Sequence, residues 1–148
     1  MKISKKCQYA LKAILELARY NKGNTIKTHE IADFQRISQR FMEIILNELK
    51  HGGFVESRRG NEGGYLLARD RKALTVREVV EYTQGAISVA PEALKDNGDA
   101  VLFGNEALKD LWQEVNEAVT KVFENKTPAD IIDLENAKRE KCVPNYNI

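Results

Sequence analysis

Between residues 28 and 68 the apolar positions recur first with a helical period and then in two short strand-like runs. Thr28 is placed to cap a short helix in which Ile31, Ala32 and Phe34 face one way. Glu30 and Asp33 lie near its start, where the helix dipole favours acid. Gln35 and Arg36 then turn the chain. Ser38 is the cap of a second helix whose Phe41, Met42, Ile45, Leu46 and Leu49 fall on one stripe, leaving Gln39, Arg40, Glu43 and Asn47 off it. His51-Gly52-Gly53 closes this helix, because glycine adopts the left-handed conformation that ends one. Two helices joined so tightly predict a helix-turn-helix.

Phe54-Val55-Glu56-Ser57-Arg58-Arg59 and Tyr65-Leu66-Leu67-Ala68 are strand-like, and Gly60-Asn61-Glu62-Gly63-Gly64 between them is turn chemistry. The pattern predicts a hairpin with two arginines at its tip, and so a winged helix-turn-helix. In that arrangement the second helix enters the major groove. The wing reaches the adjacent minor groove, whose negative potential favours arginine. Ser38 and its helix start are expected to hold a phosphate, while Gln39, Arg40 and Glu43 face base edges suited to adenine, guanine and cytosine respectively. Arg59 is the candidate for the minor groove. Arg58 points to the other face of an alternating strand, so one of the two is left to touch phosphate or solvent.

Ahead of this unit, Ser4 caps a first helix that is apolar on more than one side, through Tyr9, Leu11, Ile14, Leu15 and Leu17. Lys5 and Lys6 crowd its start and are candidate phosphate contacts, with a solvated lysine cluster as the alternative. Residues 21–27 are expected to form a turn. Behind the hairpin, Thr75-Val76-Arg77-Glu78 is a capping box opening a helix that stops at Gly85. Residues 86–104 show no period and form a linker.

From residue 105 a long amphipathic helix follows, in which Leu108, Trp112, Val115, Val119 and Val122 step by four and three, with Leu111 and Phe123 widening the stripe. That stripe is either the core contact of a lone domain or the seam of a two-fold dimer. The dimer is favoured, because a head reading a palindromic operator needs a symmetric pair. Pro128 opens a last, short helix that docks through Ile131, Ile132 and Leu134, and residues 139–148 are expected to be a loose tail. The predicted fold class is mainly α with a small β-hairpin. Residues 1–85 form a winged helix-turn-helix domain, 86–104 the linker, and 105–148 a dimerisation helix, docking helix and tail.

Charge sharpens this picture. A net +1 conceals an asymmetry: residues 1–80 hold 16 Lys+Arg against 9 Asp+Glu, or +7, and residues 81–148 hold 7 against 13, or −6. A basic first half suits a phosphate-contacting surface. With 43% hydrophobic and 30% charged residues the composition is that of a soluble domain. No apolar run approaches the ~20 residues that span a bilayer, and the first residues lack a secretory h-region, so no membrane partner and a cytoplasmic location are expected.

Met1-Lys2-Ile3-Ser4, Tyr9-Ala10-Leu11, Ile37-Ser38 with Phe41, Gly53-Phe54-Val55, Ser57, Arg59-Gly60 and Gly63-Gly64-Tyr65-Leu66-Leu67 together carry a resemblance to a known family. The chain resembles the Rrf-two family of bacterial transcription regulators, strongly over about residues 1 to 85 and beyond that in architecture. The resemblance implies a sequence-specific DNA-binding regulator, a dimeric repressor by expectation, with the wing arginine at Arg59 and dimerisation through the long helix. It also implies, for members without a cluster, that a metabolic enzyme partner or small-molecule effector governs release from double-stranded DNA.

Cluster-binding members of that family carry three closely spaced cysteines in the region corresponding to residues 86–104, which here hold neither cysteine nor histidine. Iron in such clusters needs thiolate or imidazole, so no iron-sulfur cofactor and no metal site are expected. Cys7 lies in the basic head, where Lys5 and Lys6 would favour a thiolate. It is either a redox switch, alone or with an unusual cluster, or a small buried hydrophobe. Cys142 is expected to be an incidental exposed thiol, and His29 and His51 to be helix-end surface residues. No nucleophile–base pairing is visible, and the glycines of the hairpin lack the lysine-serine of a phosphate loop, so an enzyme is not expected. A protein-interaction module built on the winged fold is the remaining alternative to a DNA reader.

Overall fold

The computed structural model describes residues 1–20, 23–91, 94 and 105–142. The Ser4 hydroxyl accepts the Cys7 amide at 3.1 Å and so caps α1 (Lys5–Arg19), whose Ala10, Ala13, Ile14 and Leu17 lie at the centre of the core. Packed on α1 are α2 (Thr28–Gln35), α3 (Gln39–His51) and the antiparallel hairpin β1 (Val55–Arg58) and β2 (Gly64–Leu67). The hairpin register pairs Val55 with Leu67 and Arg58 with Gly64. This is the predicted winged helix-turn-helix.

Two details of α2 differ from expectation. Lys27, not Thr28, is the N-cap, and its amide donates to the Glu30 carboxylate at 2.8 Å. Phe34 is 65% exposed. At about 100° per residue it lies roughly 110° from the direction shared by Ile31 and Ala32, so those two take the core and Phe34 cannot follow.

α2 and α3 end by the same backbone device. Ile37 donates to the Ala32 carbonyl and Arg36 to that of Asp33, as Phe54 does to Leu49 and Gly53 to Lys50. Each stop needs a left-handed residue, supplied by Gly53 (φ 73°) and, less comfortably, by Arg36 (φ 52°). The next residue in each case, Ile37 or Phe54, is buried, which fixes the exit direction of the chain.

α4 (Val76–Gln84) opens on the expected capping box: Glu78 Oε2 accepts the Thr75 amide at 2.8 Å and Thr75 Oγ1 accepts the Glu78 amide at 3.2 Å. Burial alone would raise the Glu78 pKa. The Thr75 amide and hydroxyl and the Arg69 guanidinium outweigh that and hold it below the usual carboxylate range. The helix stops at Gly85, as expected. Tyr82 reaches back to the head, its hydroxyl donating to the Glu48 carbonyl at 3.0 Å and its ring stacking obliquely on Phe54.

α5 (Asn105–Glu124) contacts α4, and α6 (Pro128–Cys142) packs on α1. Pro128 follows Thr127, whose hydroxyl accepts the Asp130 amide at 3.2 Å while Asp130 accepts the Thr127 amide at 2.8 Å. The Thr127 bonds keep the exposed Asp130 carboxyl below its ordinary pKa. Ile132 is buried, but Leu134, expected to dock, is 55% exposed. It sits almost opposite the side that Pro128, Ala129 and Ile132 turn inward. Residues 139–142, expected as tail, are helical: they are mostly good helix formers, and Arg139 pairs one turn back with Glu135 at 2.9 Å. Residues 143–148 and most of the linker lie outside the described residues. Where the linker begins, Val89 is held by the Asn116 side chain at 2.6 Å and by the terminal ammonium of Met1 at 3.1 Å.

A buried carboxylate joins three helices. Glu16, 4% exposed, accepts from Gln35 of α2 at 2.8 Å and from Arg19 at 3.2 Å, and Arg19 also pairs with Glu135 of α6. The pairing satisfies a group that would otherwise be costly to bury.

Candidate nucleic-acid interface

Ser38 caps α3 by accepting the Phe41 amide at 3.3 Å, and the helix leans on α1 through the Tyr9 ring, edge-on to Phe41 at 5.6 Å. Met42, Ile45, Leu46 and Leu49 anchor it in the core. Gln39, Arg40, Glu43 and Asn47 are all exposed, as the stripe required. Gln39 donates to the Glu43 carboxylate at 3.1 Å, so these two present themselves as one hydrogen-bonded unit. Arg40 makes no ion pair among the described residues.

The two wing arginines are placed differently. Arg58 donates to the Gly23 carbonyl at 3.0 Å and braces the hairpin against the turn ahead of α2. Arg59, exposed beside Gly60, has no hydrogen bond or ion pair among the described residues. Between wing and α2 lies a cleft of about 550 Å³ whose lining includes Lys27, Arg58 and Arg59 against Glu30 and Glu62. The wing tip is thus cationic and open.

Lys6, a candidate phosphate contact, is paired with Glu48 of α3 at 2.9 Å. Lys5 stays exposed and unpaired among the described residues. Sequence reasoning passed over two residues on this side. Arg36, exposed at the turn between the helices, shows itself only through its backbone conformation. Ile44, 54% exposed on α3, is apolar and was therefore not counted among contacting residues; a helical wheel would have found it.

Along α5, Leu108, Leu111 and Val122 are exposed at 52%, 46% and 59%, while Trp112, Val115 and Val119 are half-buried. No described side chain of this helix is buried. Its apolar stripe is therefore only partly used within one chain.

Cys7 is 0% exposed, enclosed with Val76 and Val80 and flanked by Ile3, Leu11 and Phe123. This is the buried-hydrophobe arrangement, and an oxidant would need the core to open. Cys142 is exposed at the end of α6. His51 Nδ1 lies 2.7 Å from the Asn47 carbonyl, and His29 is exposed.

A capped helix with a polar outward face, beside a hairpin carrying an uncommitted arginine, defines the class of winged helix-turn-helix transcription regulators. The chain belongs to the Rrf2 family, whose model, described as an iron-dependent transcriptional regulator, matches residues 3–134. It is 30% identical over 146 residues to the HTH-type transcriptional regulator IscR of Yersinia pestis, covering 95% of this chain and 87% of that one. Among solved structures, CymR, the global cysteine regulator of B. subtilis, superposes with a TM-score of 0.79 at 28% identity, covering 90% of this chain and 98% of the other. IscR of T. potens superposes at 0.75 with 25% identity, covering 99% and 95%. These relatives are regulators rather than enzymes. Among the described residues no helix is long and apolar enough to cross a membrane.

Residues 86–104 supply no thiol or imidazole, Cys7 is sealed in the core, and no three potential ligands converge among the described residues.

Proposed function

We propose that this protein is a homodimeric repressor that works in the cytoplasm on an inverted-repeat operator, placing α3 in the major groove and Arg59 in the minor groove beside it. The observation that carries the reading is Arg59, exposed and uncommitted at the wing tip while its neighbour Arg58 is tied down. The α5 stripe supports a two-fold partner, which would cover Leu108, Leu111, Trp112, Val115, Val119 and Val122 and set two heads for successive half-sites. Ser38 and Lys5 touch phosphate, and Gln39, Arg40 and Glu43 address bases. Release from the operator is governed by an enzyme partner or small ligand, since the chain lacks the thiols of a cluster.

Selection of duplexes from a random pool with the purified protein tests this. Recovery of inverted repeats, with affinity falling as salt rises by about 0.9 log units per log unit of salt for each phosphate contacted, is the expected result. A protein that enriches no sequence, or binds without salt dependence, is not a DNA reader and fits the protein-interaction alternative.

A further inference from the structure

α3 carries one large apolar side chain turned fully away from the core. Ile44 is 54% exposed, whereas Met42, Ile45, Leu46 and Leu49 are exposed by 1% or less. At about 100° per residue, Arg40, Ile44, Asn47 and His51 all lie within roughly 30° of the direction opposite those four anchors. Gln39 and Glu43, by contrast, sit about 110° and 70° away from it. The outermost line of the helix is therefore an isoleucine flanked by arginine and asparagine. Scattered exposed aliphatics are ordinary on protein surfaces, but this one stands at the midpoint of α3, the helix whose exposed Gln39, Arg40, Glu43 and Asn47 make up the proposed reading face. Its methyl groups can offer nothing to a hydrogen-bonding base edge.

We infer that Ile44 is a specificity residue that recognises thymine by packing on its C5-methyl group in the major groove. This rests on the DNA-reading function proposed above. Thymine is the base that presents a methyl group there; cytosine has a bare C5 and an amino donor next to it. An aliphatic side chain between Arg40 and Asn47 thus discriminates thymine from cytosine at a position where the polar residues read the neighbouring bases.

The probe is the consensus duplex recovered by selection with the wild-type protein, in which each thymine is replaced in turn by deoxyuridine, removing one methyl group and no hydrogen bond. The expected result is one thymine per half-site at which the replacement weakens wild-type binding about fourfold, the equivalent of one buried methylene. Ile44→Ala binds the unmodified duplex correspondingly less well and is indifferent to deoxyuridine at that position. Its melting temperature stays that of the wild type, because Ile44 is outside the core. A repeat selection with Ile44→Gln moves the preference there from thymine towards adenine. Deoxyuridine that is silent at every thymine, or that costs wild type and Ile44→Ala equally, overturns the inference while leaving DNA reading intact. Failure to enrich any duplex overturns DNA reading and the inference with it.

Discussion

Gly64 lies so close to Ile26 that a β-carbon on it would stand 2.5 Å from the Ile26 carbonyl oxygen. The approach exists because Ile26 exchanges both backbone hydrogen bonds with Tyr65, at 2.9 and 2.8 Å, and so adds a third, one-residue strand to the wing. This bridge, together with the Arg58 contact to Gly23, fixes the direction in which the wing leaves the head.

Gly64→Ala is expected to destabilise the protein by about 2–4 kcal/mol, since its φ of +153° and the backbone clash penalise any side chain. Chemical denaturation reads the loss. An unchanged midpoint would mean that the Ile26 segment moves aside freely.

The wing arginines should separate cleanly on substitution. Arg59→Ala is expected to cost about 1–3 kcal/mol of operator affinity with little change in thermal stability, because Arg59 is exposed and makes no hydrogen bond or ion pair among the described residues. Arg58→Ala is expected to lower stability by about 0.5–1 kcal/mol through its lost bond to Gly23, and to affect DNA only through a looser wing. Binding isotherms and melting curves on the two variants decide it; equal losses of affinity without destabilisation would show both reaching DNA directly.

Leu111→Glu puts a charge on the exposed stripe of α5, where Leu111 is 46% exposed in the single chain. Folding is expected to survive and self-association to be lost. Sedimentation should shift from dimer to monomer, and affinity for a two-half-site duplex should fall steeply as the second head is no longer tethered.

Glu78 supplies a pH dependence with a definite sign. Its folded pKa lies below the unfolded value, so its contribution is present above the unfolded pKa of about 4.3 and disappears as pH falls through the folded value. Glu78→Gln keeps an acceptor for the Thr75 amide but loses the charge facing Arg69. With both side chains more than a third exposed, the cost near neutrality is expected to be about 0.5 kcal/mol. Wild-type and variant stabilities measured against pH should converge on the acid side.

Much of the head was legible along the chain. Ser4, Ser38 and Thr75 are caps because their hydroxyls meet amides three residues on. The stripe of Phe41, Met42, Ile45, Leu46 and Leu49 gave the orientation of α3 for the same local reason, although Phe41, at the edge of the stripe, is 37% exposed and only leans on Tyr9. The hairpin followed from its glycines, and α5 from its heptad steps. Phe34 and Leu134 were misplaced because apolar type was read as burial where the wheel position pointed outward.

What sequence determined by itself is most of what is decided within about one helical turn or one hairpin, namely periodicity, the hydroxyl caps, the glycine stop after α3 and the charge of the first half. The tertiary structure alone decided which arginine of the wing is free, that Ile26 completes the wing, that Lys6 is paired and that the Cys7 thiol is sealed. Those outcomes join residues as far apart as the 35 positions between Gly23 and Arg58 or the 42 between Lys6 and Glu48. No local propensity encodes such pairs, because each depends on how the helices pack around α1.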